Sequence, residues 1–187
     1  MYLSFRMIRC GPPAQYRCEL IISDRRRERE REQHITKVGT ITYLKSGCRP
    51  LICMVSIGLV IAQFYEDIAE AMEEQALENA SRLDVEIAQT VSVRGVYDTP
   101  LAADRLARRD EIDAVAVLGA VITGDTDHDQ VVAHTAAQKL SDVSLQRDTP
   151  VTFGVIGPAM SSAEAYERID YGAEAIAIAV ETVEELP

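Results

Sequence analysis

From residue 54 onward the sequence predicts an α/β domain, a three-layer sandwich with a four-stranded parallel sheet and helices on both faces. Three observations carry this expectation. Four short runs rich in Val, Ile and Ala recur along the segment, helical-period stretches separate them, and glycine or proline punctuates the joins.

The first run, Val55–Ala62, is continuously apolar, as suits a strand covered on both faces. A helix follows over Tyr65–Arg82, where Ile68, Met72, Ala76, Leu77 and Ala80 form a stripe between acidic residues. Val85–Val93 reads as the second strand. Gly95-Val-Tyr-Asp-Thr-Pro100 breaks the chain, and Pro100 suits the first turn of a helix to Arg109, where its missing N–H has no intrahelical partner to lose. Ala114–Ile122 is the third strand. After Gly124 a helix over Thr126–Leu140 turns Val131, Val132, Thr135 and Ala136 inward. The fourth strand, Val151–Ile156, lies between Pro150 and Gly157-Pro158. Ser161 or Ser162 then caps a last helix to Leu186, with Ala163, Tyr166, Ile169, Ala173 and Ile176 on one face. Ligands of such sheets bind beyond the carboxyl ends of the strands. Phe64, Tyr97-Asp98, Asp125–His128 and Gly154–Gly157 should therefore gather at one edge.

Charge divides the chain in two. Residues 1–53 hold 11 Lys/Arg against 5 Asp/Glu, whereas residues 54–187 hold 8 against 25, and the whole carries −11. The basic segment is expected to be a disordered extension, because Arg25–Glu32 alternates Arg and Glu with little aromatic interleaving. Met54 stands directly before the first strand, which leads to the expectation that residues 1–53 stem from an upstream start codon. Cys10, Cys18, Cys48 and Cys53 match no zinc-ligand spacing, so no metal or redox role is assigned to them.

Several function classes are disfavoured. The acidic domain has one lysine, Lys139, beside seven arginines, which speaks against a phosphate-backbone partner such as nucleic acid. Leu51–Ala62 is shorter than the roughly 20 residues that span a bilayer, so no membrane partner is expected. Such an acidic surface repels itself unless salt screens it, which predicts a halophile-like protein of a salt-rich cytoplasm.

Chemistry concentrates in Leu118-Gly-Ala-Val-Ile-Thr-Gly-Asp-Thr-Asp-His128. A strand running through a Gly-Asp-Thr turn into a helix offers backbone N–H groups and the positive end of a helix dipole, an anion site. His128 at its lip supplies a group able to move protons near neutral pH. Unaided, Phe64 and Phe153 read as core aromatics, and Arg168 reads equally as a surface ion pair.

Five segments stand in order along residues 55–187: Ile57-Gly-Leu-Val-Ile-Ala-Gln-Phe64, Val93-Arg-Gly-Val-Tyr-Asp-Thr-Pro-Leu-Ala102, the Leu118–His128 segment, Asp142-Val-Ser-Leu145 before Thr149-Pro-Val-Thr-Phe-Gly-Val155, and Glu167-Arg168. Taken together, they are similar to the motifs of the 6,7-dimethyl-8-ribityllumazine synthase family, archaeal in type. The resemblance implies a flavodoxin-like fold. It also implies a cofactor-independent transferase that condenses 5-amino-6-(D-ribitylamino)uracil with 3,4-dihydroxy-2-butanone 4-phosphate in riboflavin biosynthesis. By the same resemblance His128 is the proton donor, while Asp125, Thr126 and Arg168 hold phosphate. Phe64, Val96, Tyr97, Asp98, Ala120, Val121, Ile122 and Phe153 bind the ribitylaminouracil, Phe153 by reaching an adjacent subunit. The family assembles as pentamers, in some members as 60-subunit capsids.

The chain departs from the family at Tyr65, often Asn, and at Thr123, often Arg. Asp129 falls one place early, Gln130 takes the usual acidic position, and a lysine common in the last helix is missing. Two alternatives stand beside this reading. One is an archaeal-type riboflavin synthase, which lacks the Gly-x-Thr-x-His turn; the other is a non-catalytic flavin- or lumazine-binding assembly, which has no need of His128 beside a phosphate clamp.

Overall fold

The computed structural model describes residues 2–10, 15–23 and 54–186, in two compact units. In the first unit β1 (Tyr2–Cys10) pairs antiparallel with β2 (Gln15–Ser23). The Arg25–Glu32 run lies outside the described residues.

The second unit is the predicted flavodoxin-like sandwich. Its strands are β3 (Ser56–Ala62), β4 (Glu86–Val93), β5 (Ala114–Ala120) and β6 (Val151–Ile156), all parallel, in the spatial order β4-β3-β5-β6. The two central strands are almost wholly buried, which accounts for their unbroken apolar runs. Alternation sends Ile57, Leu59, Ile61, Ala116 and Leu118 to one face, and Val60, Ala62, Val115 and Val117 to the other. The first face is covered by α1 (Glu66–Arg82) and α5 (Tyr171–Glu185), the second by α2 (Thr99–Leu106) and α3 (His128–Arg147).

Close packing of α1 on α5 requires Gly172. A Cβ there would stand 2.2 Å from the Met72 carbonyl oxygen, well inside contact distance. The same pair is tied by Asn79 Nδ2, which donates to the Ala173 carbonyl at 2.6 Å.

Three expectations need correction. Helix α3 starts at His128 and extends to Arg147, seven residues beyond the predicted end, and it buries Ala133, Ala136, Leu140 and Val143. Val131, expected inward, is 61 % exposed, and Leu77 of α1 is 43 % exposed. The last helix is two: α4 (Ser162–Tyr166) and α5, separated by a turn in which Arg168 N–H donates to Ala165 and Tyr171 N–H to Arg168. The break shifts the helical phase, so Ala165, Gly172, Ala175, Ile176 and Ala179 are buried while Ala163 and Tyr166 face out. Ser161 caps α4 in a reciprocal box with Glu164, one of the two caps expected.

Candidate functional site

Beyond the carboxyl ends of β3, β4 and β5 the loops enclose a cleft of about 430 Å³. Phe64, Val96, Tyr97, Asp98, Ala120, Val121, Ile122, Thr126 and His128 all line it. Nine residues assigned from sequence thus meet in one place. Asp125 sits, exposed, in the turn between Gly124 and Thr126.

Each wall follows from its local sequence. Phe64 and Tyr97 are 61 % and 65 % exposed, which marks them as cleft aromatics and corrects the core reading of Phe64. Tyr65, where the family often has Asn, meets the Phe64 ring edge-to-face at 5.1 Å between centroids. The Val96–Asp98 turn is fixed by buried Thr99, whose hydroxyl donates to the Val96 carbonyl at 2.7 Å. The Val96 side chain itself is buried with α2 and α3. The N–H groups of Val121 and Thr123 are engaged by the carbonyls of Ile156 at 2.8 Å and Met160 at 2.9 Å.

Thr126, Asp127 and His128 are exposed where the chain enters α3, and the Asp127 side chain does not cap the helix. The start of this 20-residue helix, with its uncapped first turn, thus borders the cleft through Thr126 and His128. Asp129, in the first turn of α3, is the buried exception. Its carboxyl is held below the ordinary carboxylate range, first by the Ala159 N–H, with those of Gln130 and Asp129 and the Thr123 hydroxyl adding, against the opposing effect of burial.

Two assigned residues stand elsewhere. Phe153, on edge strand β6 and 40 % exposed, lines a separate hollow with Gly154, Tyr171, Glu174 and Ile178. Gly154 accordingly lies within the strand and not at the cleft edge. Arg168 lies in the α4–α5 turn instead of inside a helix, with one guanidinium N–H donating to the Glu164 carbonyl at 2.6 Å. Within one chain neither reaches the cleft that holds His128.

Two charged residues are among the cleft residues that went unassigned. Asp129 was visible only as a misplaced acid, because its partner Ala159 is 30 residues away. Arg94 lies inside the Val93–Ala102 motif, and its guanidinium is 5.9 Å from the Phe64 ring centre. Among the described residues no cluster of three or more His, Cys, Asp or Glu side chains is placed to hold a metal ion.

Comparison with known proteins agrees with this geometry. The profile of the family described as 6,7-dimethyl-8-ribityllumazine synthase matches residues 54–186. A Halorubrum lacusprofundi protein of that name is 61 % identical over 133 residues, 71 % of this chain and 99 % of the relative. One from Halobacterium salinarum is 59 % identical over 133 residues, 71 % of this chain and all of the relative. One from Methanocaldococcus jannaschii is 45 % identical over 136 residues, 73 % and 96 % of the two chains. With a parallel sheet whose loops bring His128, Thr126 and Phe64 into one cleft, and with relatives this similar over their full length, the chain belongs to the 6,7-dimethyl-8-ribityllumazine synthase family, transferases of riboflavin biosynthesis.

Proposed function

We propose that this chain condenses 5-amino-6-(D-ribitylamino)uracil with 3,4-dihydroxy-2-butanone 4-phosphate, releasing 6,7-dimethyl-8-ribityllumazine, phosphate and water, with the cleft residues in the roles given above. The observation that carries it is the meeting of a proton-transfer group, an anion turn and an exposed aromatic wall in a single 430 Å³ cleft. The uracil ring stacks on Phe64, and the Val96–Asp98 turn takes the ribityl hydroxyls with backbone groups and the Asp98 carboxylate. Ala120, Val121 and Ile122 form the wall along the ring's polar edge.

One amine attacks the butanone carbonyl and expels water to form an imine, C–O cleavage releases phosphate, and after tautomerisation the second amine attacks the remaining carbonyl and closes the ring with loss of a second water. Each step moves protons, which suits His128. The departing phosphate needs positive charge and N–H donors, supplied by the Asp125-Thr126 backbone, the Thr126 hydroxyl and a planar guanidinium from Arg168.

Arg168 and Phe153 serve the cleft of an adjoining subunit. In support, neither lines the cleft of its own chain, and Phe153 lies exposed on the edge strand. We infer a homopentamer as the working form, with a 60-subunit capsid as the larger alternative, acting in the cytoplasm, as the family resemblance implies. No helix among the described residues is long and apolar enough to cross a membrane. Residues 1–53 lie outside the working domain, supported by a family match that begins at residue 54.

The test mixes the two substrates with purified protein and follows the lumazine chromophore and released phosphate. Product in equal amounts with phosphate is expected, and Arg168→Ala is expected to raise the KM for the butanone phosphate while sparing that for the uracil. Absence of product across salt concentrations overturns the reaction. An effect of Arg168→Ala on the uracil alone overturns the clamp.

A further inference from the structure

Asp129 is the only charged side chain among the described residues that is buried, at 6 % exposure, yet it borders the cleft beside His128. One carboxylate oxygen accepts the Ala159 N–H at 3.1 Å and the Thr123 hydroxyl at 3.3 Å. A third hydrogen bond crosses in the opposite sense, from Thr123 N–H to the Met160 carbonyl at 2.9 Å. The carboxylate therefore stands where two loops are laced together. One loop runs from β5 through Thr126 to His128, and the other leads from β6 into α4 and the Arg168 turn.

The second loop needs the brace. Ala159 holds φ +63°, a left-handed conformation that a side chain disfavours, and a Cβ at Gly157 would stand 2.0 Å from the Val121 carbonyl oxygen. The loops are thus in contact by construction, and the strained one is pinned through its N–H to a single acid. The groups that hydrogen-bond to that acid, the N–H groups of Ala159, Gln130 and Asp129 and the Thr123 hydroxyl, all donate to it, so a carboxylate suits the position better than an amide, half of which is an NH2 donor.

We propose that Asp129 is a positioning residue that sets the phosphate-gripping conformation of the Thr123–His128 turn, and with it the departure of the chain toward Arg168. This rests on the reading of the turn as the phosphate site. Loss of the brace loosens the anion cradle and leaves the Phe64 and Val96–Asp98 walls, which follow β3 and β4, in place.

The experiment measures KM for each substrate, kcat, and competitive inhibition by inorganic phosphate in Asp129→Asn, Asp129→Ala and Thr123→Val, with Thr126→Val in parallel. Asp129→Ala is expected to raise the KM for the butanone phosphate and the phosphate inhibition constant about tenfold or more, as loss of a hydrogen bond to a charged group does. Asp129→Asn and Thr123→Val give smaller shifts of the same kind, and the KM for the uracil substrate stays within about twofold. A fall in kcat with both KM values unchanged is the mark of lost folded protein, and it overturns the positioning role. Asp129→Asn, nearly isosteric, decides the matter if the alanine variant fails to fold. If Thr126→Val raises the phosphate KM and the Asp129 variants do not, the inference fails alone. If no variant changes it and inorganic phosphate does not compete, the phosphate-site reading fails with it.

Discussion

The Arg94 guanidinium lies 5.9 Å from the centre of the Phe64 ring, a cation over the aromatic face that walls the cleft. Such a contact is worth about 0.5–1 kcal/mol at an exposed site, through attraction to the ring quadrupole. Arg94→Ala should therefore raise the KM for the uracil substrate about two- to fivefold. Phe64→Ala removes the stacking surface itself, worth about 1–3 kcal/mol per base, so its effect should exceed that of Arg94→Ala. Steady-state titration of the uracil at saturating butanone phosphate checks both, and an Arg94 effect larger than the Phe64 effect would contradict the stacking geometry.

His128 is exposed at the first position of α3 and makes no contribution to either core face. Its removal should leave folding and assembly intact. His128→Ala is expected to lower kcat by about 10²- to 10⁴-fold, the span of one positioned acid/base group. Sedimentation and circular dichroism should match the parent protein. Turnover at the parental rate would remove the residue from the chemistry.

Stability should respond to acid through Asp104, which joins α2 to α3. Its carboxylate accepts from Arg147 Nε at 2.7 Å and from Arg108 at 2.6 Å. Desolvation raises its pKa, but the hydrogen bonds and charges of the two arginines outweigh this and leave the carboxyl below its ordinary value. A carboxyl depressed in the folded state adds stability that is fully present above its unfolded pKa of about 3.9, and that is lost as pH falls through the folded value. Asp104→Asn should thus destabilise at neutral pH by about 0.5–1 kcal/mol, since Arg108 is largely exposed and screened, and the difference should vanish in strong acid. Denaturant unfolding of the pair at several pH values measures it. A difference that grows as pH falls would reverse the sign of the argument.

How much of this was legible follows from where the causes lie. The strands were readable because two of them are buried on both faces and so carry unbroken apolar runs, and Gly157-Pro158 marks the end of the fourth. The cleft followed, since strand ends of a parallel sheet fix which loops meet. Helix α3 was misphased because Ala and Val recur around it, whereas its buried apolar set is Ala133, Ala136, Leu140 and Val143. Residues 167–170 contain neither glycine nor proline, so no local residue signals the break between α4 and α5; it accompanies the close seating of Gly172 on α1, a tertiary contact. Asp129 was opaque for the same reason, its meaning residing in Ala159.

Salt should stabilise this domain. Between residues 54 and 187 there are 25 acidic side chains and 8 Lys/Arg, so most of the carboxylates cannot each have a basic side chain of their own to pair with. On α1 the exposed carboxylates Glu70, Glu74 and Glu78 follow one another at four-residue spacing around Leu77. Like charges so placed destabilise a helix by about 0.2–0.5 kcal/mol per pair. Raising ionic strength from 0.1 M to 1 M shortens the screening length from about 10 Å to about 3 Å, which suppresses that repulsion, while the few exposed ion pairs lose less. The thermal midpoint should therefore climb with potassium chloride, and Glu74→Gln, which breaks both spacings at once, should gain stability chiefly at low salt. Scanning the two proteins in parallel separates charge screening from general salt effects on apolar burial, because the latter leave their difference constant. A gap between them that does not narrow as salt rises would show that self-repulsion is not what the acidic surface contributes.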